Sequence, residues 1–206
     1  MSDARAARLL ALLRERSYEK KRVVLASGKE SDFFIDCKQT LLTAEGHALA
    51  GELLFDALAR FPACEAVAGV ELGGCPLASA VSLVSFQRGR PLPALYVRKQ
   101  QKDHGSKRRV EGDKALRAGL PVVLLEDVIT TGGSSLSAVT ALAEVGAKVV
   151  GIAAVVDRDE GGRATIEASG LVFHALFTRA DFPALRRVAA APLARRSAAR
   201  ASTRIA

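Results

Sequence analysis

Apolar residues follow two alternating patterns along most of the chain. Continuous apolar runs of strand length occupy residues 66–70 and 149–156, and similar runs that end in a charged residue occupy residues 94–98 and 122–126. Apolar positions at intervals of three and four, typical of helices with one buried face, occupy residues 44–60, 76–86 and 134–145. Because continuous apolar strands are buried on both faces, this alternation predicts an α/β fold with a central, mainly parallel sheet flanked by helices. Ligands of such sheets bind beyond the carboxyl ends of the strands.

The other segments predict smaller elements and one long loop. Short elements are predicted as a helix at residues 3–16 and as extended segments at residues 22–26 and 32–35. Thr43 is a suitable cap for the start of the helix that follows it, and Gly146 for the end of the helix before it. Residues 99–118 are polar, rich in lysine and arginine, and longer than most connections, which is typical of a lid or a disordered segment.

Length and charge predict one domain with a basic tail. A chain of 206 residues supports one sizeable core, which we assign to residues 1–190, with residues 191–206 as the tail. The net charge is +8, and no acid follows Asp181. The arginines beyond that point are Arg186, Arg187, Arg195, Arg196, Arg200 and Arg204. Two interpretations remain for this tail, a solvated C-terminus or a contact with nucleic acid or an acidic partner, and we do not expect nucleic acid.

Neither a membrane span nor a secretory signal is expected. No apolar run approaches the roughly 18 residues that a span needs, and the amphipathic start has no signal-peptide core. We therefore expect a cytoplasmic protein. The three cysteines, Cys37, Cys64 and Cys75, are widely spaced and form no C-x-x-C pair, so we interpret them as small buried hydrophobes. His47 and His174, expected on a helix and a strand, have no ligand-like spacing.

Residues 122–135, VVLLEDVITTGGSS, combine a buried strand, two carboxylates, a turn rich in hydroxyls and glycine, and the start of a helix. Gly132 and Gly133 let the backbone approach a ligand, and hydroxyls surround the amides of a helix N-terminus, so the turn is suited to a phosphate. Glu126 and Asp127 suit ribose hydroxyls better than phosphate. Neither a Walker nor a Rossmann glycine motif is present. The alternative is a helix cap beside a buried acid.

Residues 122–134 resemble the thirteen-residue phosphoribosyl-pyrophosphate (PRPP) motif of type I phosphoribosyltransferases. This resemblance implies the fold of that family and a Mg²⁺-dependent transfer in which a nitrogen nucleophile displaces diphosphate from the anomeric carbon of PRPP. Mg²⁺ is then held largely by oxygens of the substrate, and we name no protein ligand for it. The PRPP-binding residues implied within the motif are Glu126, Asp127, Val128, Ile129, Thr130, Thr131, Gly132, Gly133 and Ser134.

A second candidate motif, RKQQKDHG at residues 98–105, opens the long polar loop. Arg98, Lys99 and Lys102 can neutralise a departing diphosphate, and His104 can donate a proton to its oxygen. The alternative is a solvated basic loop. The arrangement resembles the mobile catalytic loop of orotate phosphoribosyltransferases, which implies a homodimer whose loop reaches the neighbouring subunit's site. These four residues are then expected to bind PRPP and, with Asp127, to be catalytic.

Two further segments resemble that family. Ser27, Gly28, Phe33 and Phe34 resemble its N-terminal base-binding segment, which implies a small hood formed mainly by residues 1–40 and C-terminal segments. Arg158 resembles the arginine that meets the orotate carboxylate, a role that suits its planar fork. The alternative is a surface ion pair with Asp157 or Asp159. By resemblance, orotate contacts fall to Thr130, Arg158, and Phe33 or Phe34.

Residues 69–78 resemble the family's pyrophosphate loop. The chain departs from some relatives at two places where they carry lysine, Ala26 before the Ser27-Gly28 pair and Gly73 in this loop, so we assign no pyrophosphate binding to side chains of the loop. The predicted activity converts orotate and PRPP into orotidine 5′-phosphate and diphosphate in pyrimidine synthesis. A phosphoribosyltransferase for another base and a regulator that senses PRPP are the alternatives.

Overall fold

The computed structural model describes residues 3–19, 23–24, 30–31, 33–100 and 109–182. Within these ranges the helices are α1 (Ala4–Arg16), α2 (Lys38–Leu41), α3 (Ala44–Ala57), α4 (Gly74–Gln87), α5 (Gly133–Glu144) and α6 (Gly162–Ala168). The strands are β1 (Tyr18–Glu19), β2 (Val23–Val24), β3 (Glu30–Ser31), β4 (Phe34–Ile35), β5 (Ala66–Val70), β6 (Ala94–Val97), β7 (Val110–Glu111), β8 (Leu120–Ile129), β9 (Ala147–Asp157) and β10 (Val172–Thr178). Among these residues, no helix has the length and apolar character needed to cross a membrane.

The central sheet has the strand order β10-β9-β8-β5-β6-β7. All neighbouring strands are parallel except β6 and β7, which are antiparallel. The prediction of an α/β fold with a mainly parallel sheet is therefore confirmed. Strands β5 and β8 are neighbours, but β6 is added beyond β5 and β9 is added beyond β8, on the opposite side. The order in which strands are added to the sheet therefore reverses at this pair.

Helices cover both faces of the sheet, and β8 shows why the strands are apolar throughout. Val123 and Leu125 face a core formed with residues of α1, α3 and α4. Val122 and Leu124 face the opposite core, formed with residues of α5 and α6. All four side chains are fully buried, so a continuous apolar run is the sequence that this position in the sheet requires.

The N-terminal segment packs against the same core as α3. Short antiparallel pairs join β1 to β4 and β2 to β3. The buried hydroxyls of Ser17 and Thr40 lie 2.7 Å apart, and Arg5 of α1 forms ion pairs with Glu52 and Asp56 of α3. The proposed hood at residues 1–40 thus includes elements fixed to the body of the protein. The assignment of one domain to residues 1–190 and a tail to residues 191–206 stays a prediction, because residues 183–206 lie outside the described part.

The helix caps agree with the prediction, whereas β7 and α6 are among the elements of the described residues that were not predicted. Thr43 Oγ1 accepts a hydrogen bond from the Gly46 amide at 3.1 Å, and Gly146 adopts a left-handed conformation after α5. Strand β7 lies inside the predicted loop, because its pairing with β6 comes from tertiary structure that local sequence does not reveal. Helix α6 buries only Gly162 and Ile166, so its apolar periodicity is weak.

Candidate active site

A cavity of about 260 Å³ lies at the carboxyl ends of β5 and β8. These strands are the pair at which the chain reverses its progress across the sheet, which is where α/β folds generally bind ligands. The charged and polar residues that line the cavity are Lys38, Glu71, Lys99, Glu126, Asp127 and Ser134. The two predicted carboxylates and one predicted loop cation are therefore brought together.

Glu126 is almost completely buried at the end of β8, with 5% of its surface exposed. Its Oε1 accepts a hydrogen bond of 2.7 Å from the Ser135 hydroxyl at the start of α5. Burial raises the pKa of this carboxyl to about 7, an effect that the Ser135 hydrogen bond partly opposes and the charge of Asp127 reinforces. Near neutral pH the protonated and ionised forms of this carboxyl are therefore both populated, and a cation or hydroxyl donor that binds favours the ionised form.

Asp127 lies beside Glu126 and faces the loop after β5. Its Oδ1 accepts a hydrogen bond of 3.0 Å from the Val128 amide, and its Oδ2 lies 4.0 Å from Lys38 Nζ. Burial raises the pKa of this carboxyl, whereas Lys38 lowers it. A Cβ atom on Gly73 would overlap with the Asp127 carboxylate, so a side chain at this position would require the carboxylate to move.

The predicted phosphate turn connects β8 to α5. Gly132 has a φ of 82°, a left-handed conformation that places Gly133 at the first turn of α5. Thr131, Gly133 and Ser134 are exposed, so the amides of this helix N-terminus face solvent beside the carboxylates. The structure thus gives the turn the shape that phosphate binding requires, and its binding role stays a prediction.

Arg158 follows β9, directly beside the turn. Its backbone amide donates to the Ile129 carbonyl at 3.0 Å, and its Nη2 donates to the Phe33 carbonyl at 2.9 Å. The side chain is 9% exposed and pairs with Glu160, at 2.8 Å, rather than forming the surface pair with Asp157 or Asp159 that the sequence left open. Within the described part of the chain, the Nε atom is buried and has no hydrogen-bond partner, and Arg158 is not among the residues that line the cavity.

Phe33 is a core residue of the N-terminal segment, with 3% of its surface exposed. Its ring packs against Tyr18 and Phe182, with centroids 5.2 and 5.5 Å away. The guanidinium of Arg158 lies 5.6 Å from the same ring. Phe33 thus fixes the arginine through its ring and its carbonyl, while Phe34 is half-buried. Stacking of either ring on a base stays a prediction.

The remaining predicted residues, from the loop and from the N-terminal segment, fall into three groups. Lys99 lines the cavity, and its backbone amide donates to Glu71 Oε1 at 2.8 Å. Arg98 Nε instead lies 3.1 Å from Glu111 Oε1, and Arg98 is not among the residues that line the cavity. The predicted contributors Lys102, His104, Ser27 and Gly28, together with Ala26, lie outside the described residues.

Lys38 and Glu71 are cavity residues that sequence reasoning missed. Lys38 is an isolated lysine in a short segment of mixed apolar and polar residues. Glu71 lies two residues before the glycines of its loop. Neither belongs to a charged cluster in the sequence, and only the folded arrangement places both at the carboxylates. What could have indicated them is their position in the chain, because each lies in or within a few residues of a segment that the sequence had already singled out.

The acids of the cavity are of the type that binds Mg²⁺. Glu71, Glu126 and Asp127 provide hard carboxylate oxygens, which Mg²⁺ prefers. Within the described ranges, no three histidine, cysteine or acidic residues form a cluster that could hold a metal ion. The expectation that substrate oxygens hold most of the ion stays a prediction.

Comparison with known proteins defines the class. Residues 42–168 match the family described as phosphoribosyl transferase domain, so the chain is a phosphoribosyltransferase by family. The orotate phosphoribosyltransferase of Sorangium cellulosum is 71% identical over 175 residues, which cover 85% of this chain and 91% of that protein. The enzyme of the same name from Bradyrhizobium sp. strain BTAi1 is 43% identical, over 87% of this chain and 98% of that protein. The chain belongs to the orotate phosphoribosyltransferase family.

Solved structures agree with this assignment. Orotate phosphoribosyltransferase of Mycobacterium tuberculosis H37Rv in complex with PRPP superimposes with a TM-score of 0.70 at 36% identity, over 86% of this chain and 98% of that one. The Aeropyrum pernix orotate phosphoribosyltransferase gives a TM-score of 0.66 at 30% identity, over 84% and 95% of the two chains. The predicted type I phosphoribosyltransferase fold is thus confirmed.

The raised pKa of Glu126 predicts a pH dependence of stability. From its ordinary pKa of 4.5 up to about 7, the unfolded chain loses this proton while the folded chain keeps it. The free energy of unfolding of the ligand-free protein therefore falls as pH rises through this window, by about 3 kcal/mol from this group, and levels off above it. Urea unfolding of wild type and Glu126→Gln across that range measures the effect. A difference between the two proteins that stays constant with pH would contradict the assignment.

Proposed function

We propose that this protein joins orotate to PRPP, giving orotidine 5′-phosphate and diphosphate. The observation that carries the proposal is the position of Arg158 beside the phosphate turn. Ile129 and Asp157 are register partners in neighbouring strands, so the residues that follow them, Thr130 and Arg158, lie at the same edge of the sheet. A site for a phosphorylated ribose and a site for a carboxylate are thereby adjacent.

The ribose phosphate would bind along the end of β8. The 5′-phosphate accepts hydrogen bonds from exposed amides and hydroxyls of residues 130–134, at the N-terminus of α5. The carboxylates of Glu126 and Asp127 accept hydrogen bonds from the 2′- and 3′-hydroxyls. Mg²⁺, when bound, neutralises charge on the diphosphate and makes it a better leaving group. Asp127, the more exposed of the two acids, is the protein residue placed to contact this ion.

Orotate would bind between the phosphate turn and the N-terminal segment. Its carboxylate would accept hydrogen bonds from the Arg158 guanidinium, whose unpaired Nε must first be uncovered by the ligand, and Thr130 would contact the ring. The ring nitrogen gives up its proton to solvent and attacks the anomeric carbon as the bond from that carbon to the diphosphate oxygen breaks. The transition state resembles an oxocarbenium ion, and the diphosphate leaves with the electron pair of the broken bond.

The leaving diphosphate requires cations that arrive with the loop after β6. Lys99 is already at the cavity, and we assign Lys102 and His104 the roles of a charged hydrogen-bond donor and a proton donor. Arg98 has a different role in this loop, because its ion pair with Glu111 joins the end of β6 to β7 at the point where the loop begins.

The proposed location of the protein is the cytoplasm, which cell fractionation tests.

A homodimer with a shared loop is supported by an apolar face next to the loop. Leu83 and Phe86 of α4 are 59% and 72% exposed, and Tyr96 of β6 is 39% exposed. Large exposed apolar side chains that lie together are typical of an interface between proteins. Strand β6 leads directly into Arg98 and Lys99, so a second copy seated on this face lies beside the start of the loop. We propose that this copy receives the loop.

The role of Arg158 predicts a selective loss. Arg158→Ala should lower kcat/KM for orotate by about tenfold to a hundredfold or more, because a charge-assisted pair to the carboxylate is lost. The affinity for PRPP should change little. Arg117→Ala is a matched control, since Arg117 is exposed and precedes β8 at the opposite edge of the sheet. Orotate turnover that survives Arg158→Ala unchanged would refute the orotate assignment.

The shared loop predicts rescue between inactive variants. Lys102→Ala and Arg158→Ala homodimers are mixed under conditions that allow subunits to exchange. If the loop acts on the neighbouring site, half of the dimers become mixed and each contains one intact site, so activity returns to about a quarter of the wild-type value. If the loop acts on its own subunit, each site keeps one defect and no activity returns. Mixing each variant with itself is the control.

A further inference from the structure

The cavity contains a cation that no motif predicted. Lys38, the first residue of α2, reaches the cavity from the N-terminal segment. Its Nζ lies 2.6 Å from Asp36 Oδ1 and 4.0 Å from Asp127 Oδ2. The hydrogen bond to Asp36 raises the pKa of the Lys38 ammonium, so the side chain is positively charged at neutral pH.

The position of this lysine is fixed, but its hydrogen-bonding capacity is only partly used. Asp36 Oδ1 also accepts the Lys38 backbone amide at 3.3 Å, and Asp36 Oδ2 accepts a bond from Gln39 at 3.1 Å. An ammonium has three donors, and the 4.0 Å to Asp127 is too long for a hydrogen bond. The Lys38 side chain is 42% exposed at the cavity, so donors remain for an anion.

An anion in this cavity needs such a cation. The carboxylates of Glu71, Glu126 and Asp127 line the cavity, and the lysines there are Lys38 and Lys99. A diphosphate beside three acids is repelled unless positive charge lies between them. Lys99 belongs to the segment that leads into the loop, whereas Lys38 is attached to the body of the protein.

The loop after β5 contributes no cation at Gly73. Glycine has no side chain, and a Cβ atom built there would overlap with the Asp127 carboxylate. A longer side chain at this position would therefore displace Asp127. The cation must come from another wall of the cavity, and Lys38 is on the wall formed by the N-terminal segment.

We propose that Lys38 binds the diphosphate group of the phosphoribosyl substrate, at a cavity where the loop that contains Gly73 provides no cation. This inference rests on the proposed function. It assigns Lys38 a role in binding substrate and product, while the chemical step belongs to the residues described above. Lys38 therefore acts on KM for PRPP and on the affinity for diphosphate more than on kcat.

Direct binding measurements with two halves of the substrate test the proposal. Calorimetry of the full chain in Mg²⁺ measures diphosphate and ribose 5-phosphate separately. Lys38→Met should weaken diphosphate binding by about tenfold to a hundredfold, the effect of losing a charged hydrogen bond, and leave ribose 5-phosphate within about twofold. Lys38→Arg should restore most of the diphosphate affinity. Lys148→Met, at an exposed position near the amino end of β9, should change neither.

The outcomes separate this proposal from the proposed function. If wild type binds both ligands and Lys38→Met binds diphosphate equally well, the role of Lys38 is refuted and the enzyme assignment stands. An equal loss of both ligands in Lys38→Met, with no recovery in Lys38→Arg, also refutes it, because the lysine would then support the fold alone. If wild type binds neither ligand, both proposals fail together.

Discussion

The parallel pairing of β8 with β5 on one side and β9 on the other determines where the carboxylates, the phosphate turn and Arg158 lie. Each strand delivers its next residues to the same edge of the sheet. From β5 come Glu71 and Gly73, from β8 come Glu126 and Asp127, and from β9 comes Arg158. Such pairing is stable only with helices on both faces, so the two apolar cores and the site depend on the same three strands.

That arrangement concentrates buried charge, and the protein compensates for it only in part. Glu126 accepts one hydroxyl bond, Asp127 has a lysine at 4.0 Å, and Arg158 has Glu160 and the Phe33 carbonyl. Burial without full compensation raises the pKa of both acids. A ligand that brings hydroxyls, phosphate and carboxylate would complete these interactions. The polar groups that lack partners in the site therefore correspond to the groups of the proposed ligand.

The sequence predicted those parts of the fold and site that are local in the chain. The strands at residues 66–70 and 122–126 appear as apolar runs because burial on both faces requires them. The acids, the turn and the first residues of α5 are contiguous, so one stretch of sequence contained a whole ribose-phosphate site.

The features that sequence did not reveal depend on contacts between distant segments. Strand β7 exists because it pairs with β6, and Lys38 reaches Asp127 only after the N-terminal segment packs against the sheet. Glu160 was likewise missed as the partner of Arg158, because its carboxylate returns to the arginine across a tight turn at Asp159, which has a φ of 54°. The reason for glycine at position 73 also required the position of Asp127.

The central claim is that one edge of the sheet binds a phosphoribosyl group beside a pyrimidine that carries a carboxylate. The direct test is an ultraviolet assay of base consumption by the full-length protein with PRPP and Mg²⁺, comparing orotate with uracil, adenine and hypoxanthine. The account predicts consumption of orotate, formation of orotidine 5′-phosphate, and little or no reaction with the three bases that lack the carboxylate. Faster consumption of any of those bases, or no consumption of orotate, would contradict it.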